Sequence, residues 1–276
     1  MVILNQFCTI IVERKKRSLV VSFFKKILRV IFLLTIFLPL KIWAYDSLMI
    51  AVASNFNLTA EKLAEKFTSK TKIPIIISSA STSNLYAQII NGAPYDIFLA
   101  ADIERPKKLE EGKYAVSETR RTYAVGALTL WSSDELFEND ECFSVIKNGS
   151  FKKLAIANPE IAPYGHAAKE FLKKIGQWKS IQKKVVFGEN ISQTYLFAVT
   201  GNATFALISR AQAVAEQPIK PTCIWNVPPH MHSKIEQQAV ILSQTKKLKQ
   251  AKLFLDFLST PAAISIIMNS GYLVTN

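Results

Sequence analysis

Small polar residues stand at the end of several short apolar runs in the sequence. The run "LMIAVA" (48–53) is followed by Ser54 and Asn55, and a second run, "IPIIIS" (73–78), leads into "SASTSN" (79–84). Hydroxyl and amide groups donate hydrogen bonds without adding charge, so they suit a ligand that only accepts hydrogen bonds. The same residue types are also the preferred N-caps of helices, so capping alone explains any one of these positions.

Two later segments repeat this arrangement. "NPEIAPYG" (158–165) follows the apolar run "LAIAN", and "GENIS" (188–192) follows "KKVVF", with a helix-like pattern after each. In open α/β sheets, ligands bind beyond the carboxyl ends of the strands, where helix N-termini present unpaired N–H groups and a positive dipole end. Four such junctions facing one cleft favour the binding of an anion over four unrelated caps.

The residues that could catalyse a reaction or ligate a metal are few. His166 begins a helix-like segment, but no acidic residue is signalled to orient it as a base for a serine nucleophile. The pair His230 and His232 could contribute to a zinc site, yet no third ligand accompanies it. Neither GxGxxG nor GxxxxGK[ST] occurs. The sequence therefore predicts a binding protein rather than an enzyme, with no cofactor and no protein–metal ligands.

Short strand-like runs alternate with helical patterns through most of the chain. This alternation predicts an α/β fold with largely parallel sheets. Two long β-like runs, "YAVGALTLWSS" (123–133) and "IEQQAVILSQ" (235–244), interrupt it and are interpreted as crossings between two lobes. Lobe one then holds residues 46–126 and 236–276, and lobe two holds residues 127–235.

Charge and composition exclude several classes of protein. With 49% hydrophobic and 20% charged residues, the 276-residue chain is globular rather than disordered. A net charge of +13 is typical of nucleic-acid or membrane-surface binding. However, eight of the basic residues lie within residues 1–44, where Glu13 is the only acid, and no long basic block follows. We therefore expect no nucleic-acid partner.

The first 44 residues have the pattern of an export signal. Lys25, Lys26 and Arg29 precede an apolar run at 30–40, and Ala44 offers a cleavage site. A membrane span needs about 20 apolar residues, so this shorter run favours a cleaved signal peptide over a retained anchor. The expected location is the periplasm, with a mature chain that begins near Tyr45.

Two cysteines remain after such a cleavage. Cys142 and Cys223 form an even pair in an oxidising compartment, which predicts one disulfide; two separate buried thiols are the alternative.

The mature chain, about 46 to 276, resembles the substrate-binding component of bacterial molybdate ABC transporters. The matching stretches keep the family's order; they are "VASNF", "SSASTSNLYAQIINGAPYDIFLAAD", "LAIANPEIAPYGHAAKEFL", "GENISQTYLFAVTGNATFALIS" and "DFLSTPAAISIIMNSGY". The resemblance implies the type II periplasmic binding protein fold, with the ligand held between two α/β lobes. It also implies a monomer that captures molybdate, and tungstate as well, and delivers it to an inner-membrane ABC permease and its ATPase.

The resemblance also implies which residues contact the oxyanion. Carried over by position, Ser54 and Asn55 act at the first junction and Thr82 at the second, with Ser81 and Ser83 as neighbours that a shift in register could substitute. Ser209 is a further candidate, because some family members place a tyrosine at its position. The implied contacts in lobe two are Tyr164, and Ile191 through its backbone N–H.

A tetrahedral dianion explains why such a site holds neutral donors. Molybdate has four acceptor oxygens and no proton to donate near neutral pH, so the site needs many donors and no carboxylate, and arginine is not required. The alternatives are a binding protein for sulfate or another tetrahedral oxyanion, and a membrane-tethered oxyanion sensor if residues 30–44 are retained.

Overall fold

The computed structural model describes residues 47–137, 142–215 and 219–274. The predicted signal peptide, residues 1–44, lies outside these ranges. Tyr45–Asn276 forms one compact unit. Within the described ranges, no single helix is long and apolar enough to cross a membrane.

Ten strands and nine α-helices make up the described fold. The strands are β1 (Leu48–Ala53), β2 (Ile75–Ala80), β3 (Ile97–Leu99), β4 (Arg121–Gly126), β5 (Leu128–Ser132), β6 (Leu154–Ala157), β7 (Val185–Gly188), β8 (Phe205–Ser209), β9 (Cys223–Asn226) and β10 (Ile235–Ile241). The helices are α1 (Asn57–Thr71), α2 (Thr82–Ile90), α3 (Glu104–Glu111), α4 (Cys142–Asn148), α5 (Pro163–Lys174), α6 (Ile191–Val199), α7 (Arg210–Val214), α8 (Leu248–Leu258) and α9 (Pro261–Asn269).

The strands form two five-stranded sheets. The first has the order β2-β1-β3-β10-β4 and the second the order β7-β6-β8-β5-β9. In the first sheet β1 runs parallel to β2 and β3, and in the second β6 runs parallel to β7 and β8. Strands β10 and β5 run antiparallel to their neighbours. Because Ala53 pairs with Ala80 and Ala157 with Gly188, the carboxyl ends of neighbouring strands lie level in each sheet.

The chain passes between the sheets twice. The long run at 123–133 is two strands, β4 in the first sheet and β5 in the second, and Ala127 alone separates them. The return passes through residues 227–234, between β9 and β10. The sequence interpretation placed this crossing at 235–244, which is wrong, because β10 pairs on both edges within the first sheet. The names lobe one and lobe two refer to the predicted ranges, residues 46–126 with 236–276 and residues 127–235.

Helices cover both faces of each sheet. In lobe one, Phe56, Phe67 and Phe254 belong to the core beneath α1, α8 and α9, and Leu85 and Leu109 to the core beneath α2 and α3. In lobe two, α4 and α5 cover one face and α6 and α7 the other. Such coverage is typical of sheets with βαβ connections.

The predicted disulfide is confirmed. Cys142 and Cys223 are bonded, with their Cα atoms 6.0 Å apart, and both are fully buried in the core of lobe two. The disulfide connects the start of α4 with β9, so it stabilises lobe two without crossing to lobe one.

Candidate oxyanion-binding cleft

The first junction presents the hydroxyl of Ser54. Strand β1 ends at Ala53, a 3₁₀ turn covers Ser54–Phe56, and α1 starts at Asn57. No side chain caps either the turn or α1, and within the described ranges the Ser54 hydroxyl has no hydrogen-bond partner. Ser54 is 8% exposed. Ordinary helix capping therefore does not explain a serine at this position.

Asn55 is held by partners within lobe one. Its side-chain amide donates to Gln237 Oε1 at 2.9 Å and to the Tyr272 hydroxyl at 3.1 Å, and Tyr272 donates back to the Asn55 carbonyl at 2.6 Å. Tyr123 donates to the same Gln237 oxygen at 3.1 Å. This buried network fixes the turn that carries Ser54.

The second junction holds two hydroxyls without partners. Ser81 is the N-cap of α2, but its side chain accepts no capping bond. The Ser81 and Ser83 hydroxyl oxygens are buried and, among the described residues, have no hydrogen-bond partner. The Thr82 hydroxyl accepts from the Ala101 N–H at 3.3 Å, which leaves its own proton available. Buried polar groups nearly always have a hydrogen-bond partner, so this junction is suited to a ligand that accepts hydrogen bonds.

In lobe two, α5 begins directly against the end of β6. Pro163 occupies the first position of the helix. The N–H of Tyr164 lies in the first turn, where backbone N–H groups have no intrahelical acceptor. Gly165 permits this approach, because a Cβ atom there would lie 2.1 Å from the Ala157 carbonyl oxygen. The "PYG" motif thus sets a helix N-terminus close to a strand end.

The side chain of Tyr164 points toward the first crossing. Tyr164 is 2% exposed, and Gln237 Nε2 donates to its hydroxyl at 3.5 Å. A Cβ atom on Gly126 would lie 2.1 Å from that hydroxyl, so only glycine fits there. Burial raises the pKa of Tyr164 well above its usual value, so the phenol stays neutral.

The fourth junction leaves one first-turn amide without a hydrogen-bond partner among the described residues. Asn190 caps α6 by accepting from the N–H groups of Ser192 and Gln193, each at 3.0 Å. The N–H of Ile191 lies between the cap and these bonded amides. Gln212 Nε2 donates to the Ile191 carbonyl at 3.2 Å, which fixes this peptide from α7.

Ser209 has a capping role in the structure. It is fully buried at the end of β8 and forms a capping box with Gln212, whose backbone N–H donates to the Ser209 hydroxyl at 3.3 Å. Its contribution to the cleft is therefore indirect, through the Gln212 side chain that holds Ile191.

The four junctions meet between the lobes. The Ser192 hydroxyl donates to the Ser54 carbonyl at 3.3 Å, and the Ser83 N–H donates to the Ile161 carbonyl at 3.2 Å. Ala53 of lobe one belongs to the same apolar cluster as Tyr164 and Ile191 of lobe two. The structure thus brings Ser54, Thr82, Tyr164 and Ile191 to one closed interface.

The cavities nearby differ in their chemistry. One of about 170 Å³ is lined by Ser54 and Asn55 from lobe one and by Ser192, Tyr195 and Gln212 from lobe two, with no carboxylate. A larger groove of about 440 Å³ beside the return crossing is lined by five carboxylates, which makes it unsuited to an anion: Asp102, Glu104, Glu160, Glu170 and Glu236.

The histidines lie apart from these junction donors. His166 is largely exposed and pairs with Glu170 at 3.2 Å, whereas His230 and His232 lie on the return crossing. In the described ranges no group of three or more His, Cys, Asp or Glu side chains is placed to hold a metal. The arrangement presents hydrogen-bond donors in a closed space and can bind a ligand rich in acceptors.

The buried polar residues that support the junctions are not among the predicted site residues. Gln237, Tyr272, Tyr123 and Gln212 form bonds to residues at junctions or crossings, and all four are at most 6% exposed. One signal was available: "IEQQAVI" places a glutamate and two glutamines in succession inside a strand whose other residues are apolar.

Two sheets, two crossings and a donor-lined cleft between lobes define the class of periplasmic solute-binding proteins. Residues 48–273 match the family model for bacterial extracellular solute-binding proteins, and the chain belongs to this family.

Relatives with established descriptions include molybdate-binding proteins. The chain is 38% identical over 229 residues to the molybdate-binding protein ModA of Rhodobacter capsulatus, which covers 83% of this chain and 89% of the relative. It is 39% identical over 223 residues to ModA of Azotobacter vinelandii, with 81% and 88% covered. The solved Azotobacter vinelandii periplasmic molybdate-binding protein superposes with a TM-score of 0.79 at 34% identity, covering 83% of this chain and 100% of that one.

These similarities confirm the predicted family and the predicted two-lobed fold. They also place the chain among solute-binding components of transport systems rather than among enzymes.

Proposed function

We propose that the protein captures molybdate in the periplasm and delivers it to an ABC importer in the inner membrane. The identity of 38–39% to two molybdate-binding proteins over most of the chain supports this ligand. Delivery requires export, which we assign to residues 1–44 as a signal peptide that is then cleaved. The protein acts as a monomer, needs no cofactor, and passes its cargo to a permease driven by an ATPase.

The observation that carries the proposal is the set of donors without partners at the four junctions. The hydroxyls of Ser54, Ser81 and Ser83 have no hydrogen-bond partner among the described residues. The backbone N–H groups of Tyr164 and Ile191 lie in the first turns of their helices, where they have no intrahelical acceptor. We assign the oxyanion contacts to Ser54, Thr82, Tyr164 and Ile191, with Ser81 and Ser83 beside them. Asn55 is assigned a contact through its backbone N–H, because its side-chain amide already donates to Gln237 and Tyr272.

The charge of the site fits a dianion that stays deprotonated near neutral pH. Neutral donors and helix N-termini stabilise negative charge without a mobile counter-charge. No carboxylate lines the cavity that Ser54 and Asn55 reach, although the other assigned contacts do not line it. Tungstate has the same charge and shape as molybdate, so we expect it to bind as well. Sulfate is smaller, so a closed cleft with fixed donors would leave some of those donors without contact.

Calorimetric titration of the purified protein with molybdate, tungstate, sulfate and phosphate tests the proposal. We expect molybdate and tungstate to bind with similar high affinity, and sulfate and phosphate to bind much more weakly. Sulfate binding that equals or exceeds molybdate binding would replace molybdate with another tetrahedral oxyanion as the ligand.

A further inference from the structure

Besides the contact between Gln237 and the Tyr164 hydroxyl, three hydrogen bonds cross the cleft without involving any proposed ligand-donating group. Ser192 Oγ donates to the Ser54 carbonyl at 3.3 Å, the Ser83 N–H to the Ile161 carbonyl at 3.2 Å, and Asn84 Nδ2 to Glu189 Oε1 at 3.0 Å. Each bond joins a residue of lobe one to a residue of lobe two, so all three depend on closure of the cleft.

These bonds are built on the same helix starts as the ligand contacts. Ser83 and Asn84 follow Thr82 in the first turn of α2, and Ser192 follows Ile191 in the first turn of α6. A movement that brings the helix starts onto a shared ligand therefore also brings these partners within bonding distance.

Glu189 is otherwise difficult to explain. A carboxylate two residues before Ile191 places a negative charge at the rim of a site for a dianion, which lowers affinity. Its side chain does not cap α6, because Asn190 supplies the cap. Within the described ranges it also forms no ion pair. The Asn84 amide is the group that this carboxylate contacts.

We propose that Asn84 and Glu189 form a latch between the lobes that holds the closed cleft and slows release of the bound oxyanion. Both are positioning residues, since neither is assigned a contact with the ligand. The latch rests on the proposed function, because it stabilises the cleft that closes around the oxyanion.

Substitutions that change this pair alone test the latch. The Asn84–Glu189 bond joins two side chains at the exposed rim, so it can be changed without altering a backbone donor. Asn84→Asp sets two carboxylates against each other. Asn84→Asp combined with Glu189→Gln restores a bond of reversed polarity, in which the new amide donates to the new carboxylate.

The measurement is the release of ⁹⁹Mo-labelled molybdate into excess unlabelled molybdate. Asn84→Asp is expected to speed release roughly 10-fold or more, since two like charges about 3 Å apart repel by about 1.4 kcal/mol even in water. Asn84→Ala is expected to speed release roughly 2- to 10-fold by removing one hydrogen bond. The double variant should return to within about twofold of the unmodified protein.

Two further readouts separate a latch from other roles. The ratio of molybdate to tungstate affinity should stay unchanged in every variant, because a latch stabilises closure around either anion. A matched control, Asn202→Asp combined with Glu65→Gln, makes the same chemical changes at exposed positions outside the interlobe bonds and should release molybdate at the unmodified rate.

The outcomes distinguish the latch from the proposed function. If the unmodified protein binds molybdate tightly and Asn84→Asp releases it at the same rate, the latch is wrong and the ligand assignment stands. A double variant no slower than Asn84→Asp would also overturn the latch. An unmodified protein that binds neither molybdate nor tungstate would overturn both.

Discussion

At the scale of single residues, the junctions separate into two kinds of polar side chain. Asn190, Ser209 and Thr260 accept bonds from the first-turn N–H groups of their helices, as N-caps do. Ser81 stands at an N-cap position and makes no such bond, and Ser54 lies inside a 3₁₀ turn whose N-cap is Ala53. Both kinds look alike in sequence, where capping and ligand binding remained alternatives, because the distinction depends on where each hydroxyl points.

Ser54 offers the sharpest test of this distinction. If its hydroxyl donates to the oxyanion, Ser54→Ala removes a charge-assisted hydrogen bond that contributes about 1.5–3 kcal/mol. We expect affinity for molybdate to fall roughly 10- to 150-fold, since each 1.4 kcal/mol is tenfold. Ser54→Asp should abolish binding, because it places a carboxylate against a dianion in a closed cleft. Calorimetric titration and thermal melts of both variants provide the measurement.

The capping hypothesis predicts the opposite order for the same two variants. Aspartate caps helices as well as serine does, so Ser54→Asp would keep both stability and binding, while Ser54→Ala would lower the melting temperature. Tight molybdate binding by Ser54→Asp would therefore exclude Ser54 from the oxyanion contacts.

At the scale of elements, local patterns predicted the parts of the fold that repeat. The run "LMIAVA" matches β1 at both ends, and "LAIAN" matches β6 to within one residue. The order of strand, polar junction and helix also predicted where the candidate cleft would lie. These features follow from apolar periodicity and strand–helix alternation, which are local properties of the chain.

Features that depend on distant partners were not predictable in this way. Gln237 in β10 contacts Asn55 and Tyr123, which lie 182 and 114 residues away in sequence. The assignment of 235–244 to a crossing failed for a related reason. A strand buried inside a sheet and a strand that passes between lobes have the same apolar pattern, and only the pairing partners distinguish them.

Gly165 allows a test of how closely an element must approach the cleft. Gly165→Ala places a Cβ atom 2.1 Å from the Ala157 carbonyl oxygen, so the start of α5 must move away from β6 and carry the Tyr164 amide with it. We expect a loss of stability of about 1–3 kcal/mol and weaker molybdate binding. Urea unfolding and calorimetric titration measure the two effects.

Gly201→Ala is the matched control for that variant. Gly201 has φ +73° and open space around its missing Cβ, so alanine there strains the backbone at a loop in lobe two outside the junctions. It should lower stability and leave affinity unchanged. Equal affinity losses in the two variants would mean that the position of α5 has no particular role in binding.

At the scale of the whole molecule, two lobes, each built on its own five-stranded sheet, are joined by two crossings, and the proposed ligand site lies between them. The disulfide between Cys142 and Cys223 lies entirely in lobe two. Three of the four tryptophans, Trp131, Trp178 and Trp225, also lie in the range of lobe two, and Trp43 lies in the predicted signal peptide. In the mature chain, tryptophan fluorescence therefore reports the unfolding of lobe two alone.

Because these three tryptophans lie in lobe two, their fluorescence can show whether molybdate stabilises the lobe that holds Tyr164 and Ile191. Cys142→Ser combined with Cys223→Ser removes a link between residues 81 apart in sequence, which costs roughly 4 kcal/mol in the chain-entropy model. Molybdate at about 1,000 times its Kd adds back about 4 kcal/mol if it binds only the folded cleft. We expect the fluorescence-monitored midpoint to fall in the double variant and to return most of the way with molybdate but not with equal sulfate. If molybdate raises the midpoint followed by circular dichroism and leaves the tryptophan midpoint unchanged, the ligand contacts lobe one alone, and the assignments of Tyr164 and Ile191 are wrong.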